Sequence, residues 1–145
     1  MVNVRVGELR KSRVRLQQRG EEAETQGDSA TAGLMLFYSA ECALKAELLA
    51  RVLKARDTSK LPSELRSHNL RALAKALGLS TTAQEAVKSC ARVSRTPPGG
   101  THGSGLVAPK ELHEAWRYGA DLDPEDQKQA LAALRKLIEA ARTCP

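Results

Sequence analysis

The sequence predicts an all-α fold, an up-and-down bundle of four main helices with additional short helices. Apolar residues recur at intervals of three and four over most of the chain, and the alternation typical of strands is missing. Aromatic residues make up only 3% of the sequence. The core must therefore consist of leucine, alanine and valine, which suits close helix packing better than a sheet.

Length and composition predict one domain over residues 1–145, with no metal and no cofactor. The cysteines Cys42, Cys90 and Cys144 are far apart and match no metal-ligand spacing, which indicates reduced thiols in a cytoplasmic protein. We see no apolar signal segment and no run of about 18 apolar residues, so neither secretion nor membrane insertion is expected. The net charge of +6 is compatible with weak affinity for an acidic surface.

The first helix is predicted over residues 4–26, with a thin apolar stripe and a strongly charged remainder. Its basic residues are concentrated in the first half and the acidic Glu21, Glu22 and Glu24 lie in the second, which is the reverse of the order that the helix dipole favours. One interpretation of the basic half is a solvated face, and the other is a surface for an external anionic partner. Under the second interpretation the candidate binding residues are Arg10, Arg13 and Arg15.

A central helix is predicted over residues 34–53, after a cap at Asp28 or Ser29. One broad apolar face marks it as central; that face includes Leu34, Phe37, Tyr38, Leu44, Leu48, Leu49 and Val52. Glu41 and Lys45 interrupt this face with the spacing and order of a favourable ion pair. Either the pair lies at the edge of the packed face with the lysine head in water, or it fixes helix register or a partner surface.

Two shorter helices are predicted next. The third begins at a Ser67 cap and ends before Gly78, and a capping box of Thr81 and Gln84 opens the fourth, which includes Val87, Cys90 and Ala91. Residues 95–108, rich in proline and glycine, are expected to form a mobile loop. They lack the lysine and the preceding strand that a phosphate-binding loop needs.

The last two helices complete the bundle. Pro109 suits the first position of a fifth helix that turns Trp116 inward, places His113 on its polar side and ends at Gly119. A final helix begins at Asp123 and Pro124 and runs to about residue 142. We expect it to pack against the central helix.

Several short motifs in a fixed order resemble the HEPN family, the helical domains named for higher eukaryotes and prokaryotes nucleotide-binding. They are a charged first helix, FYSAECALKA from Phe37, SHNL from Ser67 and WRYG from Trp116, and the resemblance covers about residues 6–141. It implies a bundle that often dimerises, found in toxin–antitoxin, phage-defence and RNA-processing systems. Some members are metal-independent ribonucleases, and others are binding or scaffold domains or accompany a minimal nucleotidyltransferase.

The chain departs from the catalytic pattern of the family, an arginine followed after four to six residues by a histidine. Arg117 matches that arginine best, but no histidine follows it. Arg95 and His102 have the spacing, yet they lie in the proline-glycine segment, which gives them no fixed relative geometry.

Any remaining chemistry is predicted at one cleft. The resemblance implies that His68, Arg117 and Tyr118 line it, with Glu41 and Lys45 below. His68 also has a structural interpretation as a neutral cap at a helix start.

Three functional hypotheses follow. The leading one is a non-catalytic HEPN-like binding or dimerisation module that pairs with itself or with another protein in bacterial defence, toxin–antitoxin or stress regulation. The second is an endoribonuclease of the family with a degenerate or displaced site. The third is an RNA- or nucleotide-binding protein that uses the basic first helix, with affinity that falls as salt rises.

Overall fold

The computed structural model describes residues 2–93 and 105–144, and this part of the chain is mostly helical, as predicted. Its α-helices are α1 (Val6–Thr25), α2 (Ser29–Glu47), α3 (Leu70–Leu77), α4 (Thr81–Gln84), α5 (Leu112–Arg117) and α6 (Pro124–Arg142). A π-helix covers Leu48–Leu53, and 3-10 turns cover Thr58–Lys60, Ser63–Leu65 and Pro109–Glu111. Two strands, β1 (Cys90–Ala91) and β2 (Leu106–Val107), pair antiparallel.

A tight turn makes α1 and α2 an antiparallel hairpin. Gly27 adopts a φ of 79°, and the Asp28 side chain accepts a hydrogen bond of 3.1 Å from the backbone N–H of Thr31. The helices approach closely at Gly20, where an added Cβ would lie 2.9 Å from Cγ of Leu36. Small residues at such crossings allow two backbones to come together. The hairpin therefore holds α1 closely against α2, and α3, α5 and α6 pack on α2.

Helix α2 is central, as its wide apolar face predicted. Leu36, Phe37 and Leu44 are completely buried, and α2 packs against α1, α3, α5 and α6. The predicted packing of the last helix against the central one is confirmed, with Leu134 and Ile138 of α6 buried in the shared core. Burial of this apolar surface is the main source of the free energy of folding.

The end of the central helix differs from the prediction at Val52, which is 50% exposed instead of lying on the apolar face. From Leu48 the α-helix becomes a π-helix, in which each turn contains more residues than in an α-helix. The side chains after Leu48 therefore point in directions that differ from those expected at 3.6 residues per turn. Lys54, in the left-handed conformation with φ of 50°, ends the π-helix.

The predicted caps of the third and fourth helices are corrected. Asn69 caps α3, since its side chain accepts from the Ala72 N–H at 3.1 Å; Ser67 lies too early in the chain to do so. Ser80 caps α4 through the Ala83 N–H. Helix α4 is a single turn, so Cys90 and Ala91 lie in β1 and not in a helix. Strands of two residues are too short to show alternation, which explains why none was predicted.

The prediction for His113 was wrong: it is 5% exposed and not on a polar face. The helical part of the fifth segment begins as a 3-10 turn at Pro109, and only from Leu112 is it an α-helix. Leu112, Ala115 and Trp116, the residues predicted to face inward, are buried as well, so the buried face of this helix is wider than predicted and includes His113. Trp116 is 3% exposed and donates from Nε1 to the Gln127 side chain at 2.9 Å.

The last helix has the predicted start. Asp123 accepts from the N–H of Asp126 at 3.0 Å, and Pro124 occupies the first turn. Across residues 2–93 and 105–144, no helix has both the length and the apolar character needed to cross a membrane.

Candidate functional site

Residues from three separate parts of the chain meet at one surface, which we call the Tyr38 cluster. Helix α2 contributes Tyr38, Glu41 and Lys45, the segment before α3 contributes His68, and the region of α5 contributes His113, Arg117 and Tyr118. Packing of α3 and α5 against α2 brings these segments together.

Glu41 bridges two basic side chains. Its Oε2 lies 2.9 Å from Nζ of Lys45, and its Oε1 lies 2.6 Å from Nδ1 of His68. The side chains of Glu41 and Lys45 are each only 14% exposed, whereas that of His68 is 47% exposed. The buried charges are therefore paired, which offsets the cost of removing them from water. The bond also fixes the His68 ring and uses one ring nitrogen, Nδ1.

The His113 ring packs against the His68 ring. The centroids of the two imidazoles are 4.3 Å apart, and the phenyl ring of Phe37 lies 5.1 Å from His113 on a second side. Burial lowers the pKa of His113 below its usual value, and the nearby His68 and Arg117 lower it further against the opposing effect of Glu114. His113 is thus neutral at neutral pH, and its Nδ1 has no hydrogen-bond partner within the described chain.

Arg117 lies at the exposed side of the cluster. Its guanidinium donates a hydrogen bond to the hydroxyl of Tyr38, 79 positions away in sequence. The guanidinium carbon is 5.9 Å from the Tyr38 ring centroid and 6.0 Å from that of Tyr118, which is 77% exposed. Hydrogen bonds with Tyr38 and then with Tyr118 raise the pKa of Arg117 above its usual value. The arrangement presents a permanent positive charge beside two aromatic rings.

The three arginines of α1 that were predicted to bind an anion differ from one another in their surroundings. Arg10 forms two hydrogen bonds with Glu47, of 3.0 and 3.1 Å, and Arg51 bonds the same carboxylate at 2.9 Å. Burial alone would raise the pKa of Glu47, but the two arginines outweigh it and lower the pKa. Arg10 therefore links α1 to α2 through a salt bridge.

Arg13 and Arg15 line a shallow depression on α1 with Lys11 and Val14. The backbone carbonyl of Arg13 also accepts a 2.7 Å hydrogen bond from Ser39. These side chains remain candidates for contact with an anion. The alternative pair Arg95 and His102 lies outside the described residues.

Two members of the cluster were not predicted as site residues. On a helical wheel His113 lies about 100° from Leu112, at the edge of the predicted apolar face, so the sequence pattern left its burial open. Tyr38 was assigned only to the apolar face, and no local pattern reveals that its hydroxyl meets Arg117.

The arrangement offers no cluster of three or more histidine, cysteine, aspartate or glutamate side chains that could hold a metal ion, in the residues that the structure describes. Its chemical resources are a histidine oriented by a carboxylate, an exposed guanidinium and two phenols.

Comparisons with known proteins add no assignment. The chain matches no family model, and no significant match is found among curated proteins or solved structures.

Proposed function

We propose that this protein is a non-catalytic HEPN-like helical binding module, with the Tyr38 cluster as its recognition surface. The motifs that carry the resemblance supply Tyr38, Glu41 and Lys45 from one helix, His68 from a second segment and Arg117 from a third. Their convergence at one surface supports a shared role for them.

The observation that carries the proposal is the exposed Arg117 and Tyr118 beside Tyr38. Arginine and tyrosine dominate binding energy at many protein interfaces, because each combines a broad flat contact with a polar end. A phenol, and not a carboxylate, holds Arg117, so its charge is available to an acidic group of a partner. The partner we propose is a second copy of the chain or another protein such as a minimal nucleotidyltransferase, in bacterial defence, toxin–antitoxin or stress regulation.

Burial of His113 favours binding over catalysis. A general base must reach the proton that it removes, and the His113 side chain is only 6% exposed. Its lowered pKa also makes it a poor proton donor at neutral pH. His113 is thus unsuited to act as the general acid in a mechanism in which His68 is the general base.

A second candidate, a metal-independent ribonuclease, is favoured by the Glu41–His68 hydrogen bond. A carboxylate on one ring nitrogen orients an imidazole and leaves the other nitrogen for proton transfer. Arg117 would then stabilise negative charge on the phosphate.

Cleavage of mixed cellular RNA separates the two candidates. The purified protein is compared with His68→Ala, with Arg117→Ala and with Arg95→Ala plus His102→Ala. We expect no cleavage by any of them. Cleavage by the native protein that disappears in His68→Ala or Arg117→Ala would contradict the non-catalytic proposal and locate the nuclease site.

Sedimentation equilibrium tests the dimeric form of the module. We expect self-association that Arg117→Ala plus Tyr118→Ala weakens by about tenfold or more, as loss of two interface anchors would. Arg19→Ala is the control, because Arg19 is an exposed arginine of α1 paired with Glu22. A chain that stays monomeric at every concentration would contradict dimerisation.

A further inference from the structure

A cleft lies where α3, α4 and the turn before α5 meet, and we call it the α3–α4 cleft. Its volume is about 430 Å³, and none of its lining residues belongs to the Tyr38 cluster. Small-molecule sites commonly have volumes of roughly 300–1,000 Å³. The cleft is therefore large enough to be judged as a binding site in its own right.

The floor of the α3–α4 cleft is apolar. The apolar residues that line it are Leu70 of α3, Val87 of the segment after α4, and Leu137 of α6. Their exposed fractions are 5%, 8% and 3%, respectively. An apolar group that covered this floor would remove both its own surface and that of the floor from water, which is favourable.

The rim of the cleft is positively charged. Arg71, Lys88 and Lys110 line it together with one carboxylate, Glu85, which already accepts a 3.0 Å hydrogen bond from Arg71. No ion pair with a described residue engages Lys88 or Lys110. Two lysines are thus available to a ligand with negative charge.

The short ribbon of β1 and β2 explains why these two lysines share one opening. Cys90 pairs with Val107 in antiparallel register, Lys88 lies two residues before Cys90, and Lys110 lies three residues after Val107. Antiparallel pairing brings such positions to the same end of the ribbon. The positive rim is therefore a product of the fold and not of one charged run in the sequence.

We propose that the α3–α4 cleft binds a small molecule with an apolar body and one anionic group, such as a carboxylate, a sulfonate or a phosphate ester. The body covers the floor at Leu70, Val87 and Leu137, and the anionic group is held by Lys88 and Lys110. Apolar contact supplies most of the affinity, and the lysines set the orientation and the preference for an anion.

Fluorescence of anilinonaphthalene sulfonate, an aromatic sulfonate, tests this proposal with the full chain. We expect saturable binding at one site. Decanoate should displace the probe, whereas decanol, which has the same chain length and no charge, should compete at least about fivefold less well because it gains no ion pair. Absence of saturable binding, or equal competition by the acid and the alcohol, would overturn the proposal.

Charge variants locate the site. Lys88→Gln plus Lys110→Gln should weaken probe binding by about tenfold, the expected effect of losing two partly exposed ion pairs. The control is Lys75→Gln plus Lys128→Gln, which removes the same charge from exposed positions outside the cleft. Both variants change only exposed lysines, so circular dichroism should show native helix content. Equal weakening by the two variants would show a non-specific charge effect and refute the site.

A third variant tests the lining directly. Ser89→Glu places a carboxylate among the lining residues and should weaken binding of the sulfonate probe itself through repulsion of like charges. Unchanged probe affinity in a folded Ser89→Glu protein would place the anion elsewhere and contradict the proposal.

Discussion

Gly33 of α2 lies directly against the indole ring of Trp116: a Cβ added to Gly33 would be 2.3 Å from Cε2 of the ring. The absence of a side chain allows α5 to pack on α2. Arg117 follows Trp116 in the chain, so the same contact brings its guanidinium to the hydroxyl of Tyr38. A packing detail in the core therefore positions the exposed charge of the candidate site.

Replacement of Gly33 by alanine should destabilise the protein. The Cβ overlaps a rigid ring held by Gln127, so we expect a loss of about 2–4 kcal/mol in the free energy of unfolding, at or above the usual cost of overpacking. Urea denaturation followed by Trp116 fluorescence measures it. Gly7→Ala is the control, because no atom lies within 4 Å of its added Cβ, and it should be neutral or stabilising. Equal stability of Gly33→Ala and the native protein would contradict the packing described here.

Loss of Arg10 should cost more stability than loss of other α1 arginines. The Glu47 side chain is 8% exposed and that of Arg10 is 49% exposed, so the change leaves a buried carboxylate with Arg51 alone. We expect Arg10→Ala to reduce the free energy of unfolding by about 1–2 kcal/mol, below the value for a fully buried pair because water screens Arg10.

The control for Arg10→Ala is Arg19→Ala, which removes an exposed pair with Glu22 and should change stability by less than about 0.5 kcal/mol. Arg10→Lys should lie between the two, since an ammonium cannot make both hydrogen bonds in the geometry of a guanidinium. Equal effects of Arg10→Ala and Arg19→Ala would argue against a structural role for Arg10.

Acid should weaken the fold through His113. Burial, followed by the charge of His68, lowers the folded-state pKa of His113 below its usual value of 6.5. The unfolded chain then binds the proton more readily, so this contribution to stability is intact above about pH 6.5 and is lost as the pH falls toward the folded-state value. Denaturation at several pH values from 7.5 to 5.5 should show declining stability.

His113→Leu should flatten that decline. Leucine has a similar volume, fits the apolar surroundings and removes a buried nitrogen, Nδ1, that has no hydrogen-bond partner in the described chain. A decline as steep in His113→Leu as in the native protein would assign the pH dependence to another group.

The thiols of Cys42 and Cys90 should react slowly in the native protein. Burial, with a smaller effect of Glu41, raises the pKa of Cys42 to about 11, and burial with the nearby Asp126 raises that of Cys90 to about 11. The reactive thiolate is therefore scarce at neutral pH. In a Cys144→Ser variant, Ellman's reagent should label both thiols slowly until guanidinium unfolds the chain. Rapid labelling of the folded variant would refute this burial.

Helix caps show how far sequence reasoning reaches locally. Asp28, one of the two residues predicted to cap α2, and Asp123, predicted to cap α6, both do so. In each case a short polar side chain precedes an apolar run within a few residues, and at α6 a proline strengthens the signal. Asn69, and not the predicted Ser67, caps α3. Both side chains accept a backbone hydrogen bond, and only the path of the preceding loop determines which of them lies at the start of the helix. Local patterns therefore name a helix start more reliably than its exact residue.

The sequence by itself determined the helical class, the central position of α2 and the pairing of Glu41 with Lys45, because these depend on periodicity and on neighbours within one or two turns. Only the tertiary structure decided the burial of His113, the π-helical exposure of Val52 and the meeting of Arg117 with Tyr38. Those features arise from contacts between distant segments and from small changes in helix rotation, which depend on how all the helices pack at once.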